Sequence, residues 1–282
     1  MMIIWLASYP KSGNTWIRAF LAAYYYSRDG IFDFKLLEKI DQYPKAKYFD
    51  KKIEKPGDIS LYWNSSQEKI SNKKEVKIFK THNSLLAING NNFTSAKHTL
   101  GVIYIVRDPR NVLTSLKNHY DIGYNEAIEF MQNERKYIYD NRVENTKLDF
   151  ANFQFLSSWS NHYKSWTNSS TFKKIVIKYE DLILDPTKNF RNLINYVNSL
   201  IKKNDIIDDK KIRMCIETTN FELLKKKEES SGFPESVYSN KLKKNITFFN
   251  LGSKNQWNEA VPKNLQKKIN EIYKKDLEIL GY

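Results

Sequence analysis

Apolar positions along this chain follow two alternating periods. Ile3 to Ser8 is a short, nearly continuous apolar run that ends at Tyr9-Pro10-Lys11-Ser12-Gly13. From Asn14 the spacing becomes helical, through Trp16, Ile17, Phe20, Leu21 and Tyr24, so a strand, a tight turn and a helix follow one another. Residues 76–80 predict a second strand and 101–106 a third. The third is apolar on both faces, as strands inside parallel sheets are. Pro109 then opens a helix through Val112, Leu116 and Tyr120, with proline near the first helical position. Residues 175–177 predict a fourth strand and 186–197 another helix. Leu265, Ile269, Ile272, Tyr273, Leu277 and Leu280 predict an amphipathic C-terminal helix. Strands alternating with helices predict an α/β fold, a single domain over 1–282 with a central parallel β-sheet flanked by helices. The stretches 41–75, 121–150 and 228–256 are polar and rich in Lys and Asn. They read as excursions from that domain, and the last two are placed to cover a site.

A chain of 282 residues, 41% of them hydrophobic, is globular and long enough for a sizeable core. The net charge of +14 suits anionic partners: nucleotides, sulfated or phosphorylated substrates, nucleic acid or a membrane surface. The cations are 38 Lys against 8 Arg, alongside many Asn and Ile. That bias fits an AT-rich coding sequence as well as a selected basic face, so no specific nucleic-acid partner is expected. One cysteine, Cys215, excludes an intrachain disulfide and a Cys-based zinc site and favours a reducing compartment. No apolar run is long enough to span a bilayer. The segment Met1-Met2-Ile3-Ile4-Trp5-Leu6 lacks the basic n-region of a signal peptide and runs straight into the first strand. The expected location is cytoplasmic.

Tyr9-Pro10-Lys11-Ser12-Gly13-Asn14-Thr15-Trp16 is the strongest chemical signal. Glycine lets the backbone turn so that successive N–H groups converge on an anion, and the following helix N-terminus adds its dipole. Ser12, Asn14 and Thr15 can donate to phosphate oxygens. The loop is P-loop-like without being a Walker A sequence, because the lysine precedes the glycine and no earlier glycine exists. A second signal is Arg107 at the end of the third strand with Ser115 two turns into the next helix. Both can reach one phosphate, and Arg suits a bidentate grip. A third is Lys80-Thr81-His82 after the second strand, where a neutral imidazole can take a proton near pH 7. Taken singly, Arg107 could serve a salt bridge and His82 the core. His98, His119 and His162 lack such a context.

Together these segments resemble the nucleotide-dependent sulfotransferases, especially the cytosolic type. The first segment differs from the family's Y-P-K-S-G-T-T-W at Asn14 alone, and Lys80-Thr81-His82 resembles its K-T-H. Tyr179-Glu180-Asp181-Leu182 matches its Y-E-D-L, and Thr219-Asn220-Phe221 with Leu224-Lys225 is similar to its T-S-F-x-x-M-K. The resemblance implies a phosphosulfate-binding loop and a co-substrate, 3'-phosphoadenosine 5'-phosphosulfate (PAPS, leaving as PAP), with no metal. It implies that Lys11, Ser12, Gly13, Asn14 and Thr15 hold the phosphosulfate, and that Arg107 and Ser115 hold the 3'-phosphate. Trp16, Tyr179, Thr219, Phe221 and Gly252 would then border the nucleotide. His82 is the implied general base, Lys11 stabilises the leaving nucleotide and Lys80 supports the transferring group. Ser158-Trp159-Ser160-Asn161-His162 looks like the family's S-W-x-x-H stretch near the acceptor.

The match frays at Phe249-Asn250-Leu251-Gly252-Ser253-Lys254-Asn255-Gln256-Trp257, against R-K-G-x-x-G-D-W. Glycine and tryptophan fit, but Asn250 and Leu251 stand where two cations clamp the 3'-phosphate. Either Lys241, Lys243, Lys244 or Lys254 rebuilds the clamp, or the clamp is absent. The first is expected, because an open 3'-phosphate would leave Arg107 partly wet. The implied reaction is sulfuryl transfer to the hydroxyl of a small-molecule or glycan acceptor. The family's dimer-forming segment is not visible, so a homodimer stays open. A P-loop kinase would need a Walker A loop and a Mg-binding Asp, neither of which is visible. A non-catalytic nucleotide binder has the altered C-terminal segment as its support.

Overall fold

The computed structural model describes residues 2–71, 75–139, 149–204, 206–239 and 241–282. Parts of the three polar excursions, at 72–74, 140–148 and 240, lie outside the described residues. The chain begins with β1 (Ile3–Ser8), α1 (Asn14–Tyr26), α2 (Trp63–Ser71), β2 (Lys77–Thr81) and β3 (Thr99–Val106). Then come α3 (Pro109–Tyr120), α4 (Tyr124–Gln132), the short strands β4 (Tyr137–Ile138) and β5 (Gln154–Phe155), and α5 (Trp159–Thr167). They are followed by β6 (Lys174–Lys178), α6 (Tyr179–Leu184), α7 (Pro186–Ile201), α8 (Asp209–Thr218) and α9 (Phe221–Ser231). The short pair β7 (Tyr238–Ser239) and β8 (Lys244–Asn245), then α10 (Trp257–Ala260) and α11 (Lys263–Leu280), complete the order.

The predicted strands form one parallel sheet in the order β2-β1-β3-β6. Every residue of β1 is buried, because strands lie on both edges of it and helices on both faces. Alternation divides its side chains between two cores. Ile3, Trp5 and Ala7 pack in one with Trp159, Ile269 and Tyr273. Ile4 and Leu6 pack in the other with Ile17, Phe20, Phe190 and Leu193. The register pairs Ile3 with Lys77 and Ala7 with Thr81, which carries β2 one residue past the predicted 76–80. Caps account for the helix starts: Asp108 accepts from the Arg110 N–H ahead of α3, and Asp185 from the Lys188 N–H ahead of α7. The polar excursions are structured in part, since they contain α2, α4 and β4. Among the described residues, no helix is long and apolar enough to cross a membrane.

Gly101 is needed for packing rather than for backbone freedom. A Cβ there would lie 2.4 Å from Leu200 Cδ1 and 2.7 Å from the Tyr196 hydroxyl, so α7 sits directly on β3. Gly101→Ala is expected to destabilise the fold by about 1–3 kcal/mol, as overpacking does. The check is a lower urea midpoint with an unchanged slope.

Candidate functional site

All four strands of the sheet point their carboxyl ends at one cavity of about 790 Å³. In open α/β sheets that edge is where ligands bind. The residues that follow each strand furnish the site: the Tyr9–Gly13 loop after β1, His82 after β2, Arg107 after β3 and Tyr179 after β6.

The loop reverses through two positive φ angles, +66° at Lys11 and +97° at Gly13. Only glycine suits position 13, since a Cβ would fall 2.4 Å from the Tyr179 ring. The first turn of α1 then faces the cavity, where helix N–H groups have no intrahelical partner. Asn14 lines the cavity and also has a structural contact. Its amide donates inward, to the Leu6 carbonyl at 3.2 Å and Ser8 Oγ at 3.1 Å, so it braces the loop against β1. Ser12 is buried without a partner on Oγ and does not line the cavity, whereas Thr15 does.

Arg107 joins the loop to α3. Its Nη1 donates to the Lys11 carbonyl at 3.0 Å and to Ser115 Oγ at 3.2 Å, and its plane lies 4.3 Å from the Tyr179 ring centre. Its buried Nε has no protein partner. Ser115 Oγ also accepts from Asn255 Nδ2 at 3.1 Å. With both lone pairs engaged, its own proton is left to donate elsewhere.

Lys80 is buried and pairs with Glu235 at 2.8 Å, and Glu235 also binds Arg18 at 2.6 Å. Burial alone would raise Glu235; Lys80 and Arg18 outweigh it and hold the carboxyl well below the usual range. Burial pushes Lys11 down to about 7; Glu235 opposes this, and Arg107 and Lys80 add to it. The Lys11 ammonium rests 3.7 Å from the Phe248 ring centre.

His82 Nδ1 donates to the Ser8 carbonyl at 2.8 Å, which fixes the tautomer and leaves Nε2 as the acceptor. Burial, with Lys80 adding, pushes it down to about 3, so the ring is neutral near pH 7. Its backbone is held from both sides. The N–H donates to Gln154 Oε1 at 2.7 Å, and the carbonyl accepts from His162 Nε2 at 3.0 Å. The other nitrogen of His162 takes the Tyr104 hydroxyl at 2.9 Å, and the ring has no exposed surface. His162 is therefore a support for His82 and is closed to an acceptor.

Trp16, Tyr179, Thr219, Phe221 and Gly252 line the same cavity. Thr219 does so with its hydroxyl turned back to the Cys215 carbonyl at 2.7 Å. Gly252 is pressed on Phe221, whose ring carbon would lie 2.6 Å from a Cβ there. The expected replacement lysines are exposed here. Asn250, Leu251 and Ser253 line the cavity, while Lys241, Lys243, Lys244 and Lys254 do not, because the short β7–β8 pair carries the first three outward. Instead Asn255 bonds Asn111, Thr114 and Ser115 and fastens the segment to α3.

Glu235, Asn255, Phe248 and His119 also belong to the site and escaped the sequence reading. His119 faces the cavity with a buried Nδ1 that has no partner among the described residues; its position in the last turn of the helix that Pro109 opens was the available signal. Among the described residues no group of three or more His, Cys, Asp or Glu is arranged to hold a metal ion.

The carboxyl edge of a parallel α/β sheet thus gathers a tight basic loop, an arginine–serine pair and a neutral histidine around one cavity. Residues 3–281 match the sulfotransferase domain, and the chain belongs to that family. It is 21% identical over 285 residues to the amine sulfotransferase of Oryctolagus cuniculus, covering 98% of this chain and 80% of the relative. Among solved structures it is similar to retinol dehydratase in complex with androsterone and the inactive cofactor PAP, with a TM-score of 0.63 at 15% identity. That match covers 98% of this chain and 80% of the other. A mouse sulfotransferase complexed with PAP matches with a TM-score of 0.57 at 16% identity, covering 98% and 83%.

The lowered Lys11 has a consequence for stability. A lysine at about 7 in the fold and near 10.5 unfolded costs stability while charged, and that cost fades as pH rises from 7 towards 10.5. Lys11→Met is therefore expected to be more stable than the parent at pH 6, with the gain shrinking through pH 9. Denaturant midpoints at several pH values check this; a constant difference would show that Lys11 is not buried as charge.

Proposed function

We propose that the protein transfers a sulfuryl group from PAPS to the hydroxyl of a small-molecule acceptor. The observation that carries this reading is the meeting, in one cavity, of the Lys11 loop, the Arg107–Ser115 pair and a neutral His82 whose Nε2 has no partner among the described residues. The acceptor oxygen forms a bond to sulfur while the bond from sulfur to the bridging phosphate oxygen breaks. His82 Nε2 takes the acceptor's proton, and the electron pair leaves with PAP. Lys11 meets charge developing on the bridging oxygen, and Lys80 supports the transferring group. Such a step is mostly positioning and electrostatic stabilisation, as in phosphoryl transfer.

The donor's 3'-phosphate fits Arg107, whose unpartnered Nε and the free proton of Ser115 are both donors. Trp16, Tyr179, Thr219, Phe221 and Gly252 would border adenine, as aromatic faces do with bases. The two similar structures that hold PAP support the same donor. A reducing, cytosolic setting belongs to this reading, and the one cysteine, Cys215, is a free buried thiol, in keeping with it.

The test is turnover of labelled PAPS across phenols, sterols and sugars, alongside calorimetric titration with PAP and ATP. His82→Ala should keep PAP affinity and lower turnover by roughly two to four powers of ten. Arg107→Ala should weaken PAP binding by about 2–4 kcal/mol. Because Lys11 loses its charge above about 7, PAP affinity should fall between pH 7 and 9, and Lys11→Met should flatten that profile. Tight ATP binding with magnesium-dependent turnover would instead identify a kinase.

A further inference from the structure

The donor half of the cavity is formed by the strand ends, residues 247–253 and Asn255, and the other half by the end of α3, Phe130 of α4 and the β4–β5 strand pair. In the second half, rings and polar groups form one continuous row. The His119 ring lies 5.6 Å from Phe248 on the donor side and 4.8 Å from Tyr120. Tyr120 stacks on Phe130 at 5.3 Å, and the Lys136 ammonium sits 4.0 Å from the Phe130 ring centre. Since Phe248 also carries Lys11, the row runs from the loop lysine to Lys136 with rings between.

Lys136 is held at the far end by its backbone. Its carbonyl accepts the N–H groups of Leu156 and Ser157 at 2.9 and 3.0 Å. The strand pair sets Ile138 beside Gln154, and Gln154 in turn holds the His82 N–H. One strand pair thus ties Lys136 to the proposed base. Lys136 and Ile138 lie two residues apart, roughly 7 Å along a strand, and both line the cavity. Burial alone pushes the Lys136 ammonium down, with no carboxylate opposing it among the described residues. Of the described lining residues, Glu235 is the one carboxylate, and Lys80 and Arg18 already hold it. Among the described residues the acceptor half therefore offers one cation, flat rings and neutral polar groups, with no carboxylate.

We propose that the acceptor is a hydroxylated aromatic molecule carrying a carboxylate at the end remote from the reacting hydroxyl, and that Lys136 grips that carboxylate. This rests on the sulfuryl-transfer reading of the same site. A half-buried ammonium without a carboxylate partner among the described residues gains a charge-assisted bond from an anionic tail. A cationic tail would meet it unopposed, which selects against amines of the same shape.

Three probes that share a phenol and differ in tail charge decide the matter: 3-(4-hydroxyphenyl)propionate, 4-propylphenol and tyramine. Binding to PAP-saturated enzyme is measured by calorimetry, and kcat/KM with PAPS. The propionate should rank first and tyramine last, at least about tenfold apart. Lys136→Gln should lower kcat/KM for the propionate about tenfold while leaving propylphenol within about twofold, and Lys136→Arg should keep the preference. Lys136→Glu should move the preference to tyramine. Equal affinity of the parent for the propionate and propylphenol, no binding of any probe, or an equal loss for both in Lys136→Gln overturns the proposal. Ranked binding without sulfated product keeps the anion site and sinks the transfer reading; product formation without ranking does the reverse.

Discussion

Three cations, Lys11, Lys80 and Arg107, stand in one half-buried cavity, and like charges at short range in a poorly solvated space repel. The rest of the site is arranged around containing that repulsion. Lys80 has the Glu235 carboxylate. Arg107 has the Lys11 carbonyl, Ser115 and the Tyr179 face. Lys11 has the Phe248 face and a lowered proton affinity. These compensations join the loop, the strand ends, α3 and the segment 228–256 around one cavity. An incoming dianion would complete the balance, which makes anion binding the natural use of the arrangement.

The segment 228–256 supplies most of this containment, and it depends on another carboxylate. Glu228 is buried at the end of α9 and accepts the backbone N–H groups of Phe248 and Phe249 and the Ser236 hydroxyl. It therefore holds the strip that sets Phe248 over Lys11. Gly252 against Phe221 and Asn255 against α3 anchor the next residues. A segment that reads as a solvated Lys/Asn-rich excursion is thereby bound to the site at each end.

The two histidines of the central network show how position divides chemically identical groups. His82 leaves one nitrogen open to the cavity, while His162 has both engaged and carries the His82 backbone. Neutral imidazole serves in each case, because burial makes the charged form costly.

Contiguous signals were legible without the structure. A strand, a loop and a helix are encoded by neighbouring residues, so β1, the Tyr9–Gly13 turn, α1, β3, α3 and the C-terminal helix could be read directly, and His82, Arg107 and Tyr179 fell into place as residues that follow strands. Pattern could not assign partners. That Asn14 turns inward, that Glu235 pairs with Lys80, that Asn255 stands near the missing clamp and that Lys136 shares a cavity with His119 all follow from how distant segments pack. The physical reason is range: backbone periodicity and turn chemistry act between near neighbours in sequence, whereas hydrogen bonding, desolvation and charge pairing act between neighbours in space. The amino-acid sequence by itself determined the sheet, its loop and the residues at the strand ends; only the tertiary structure decided which charges those residues face.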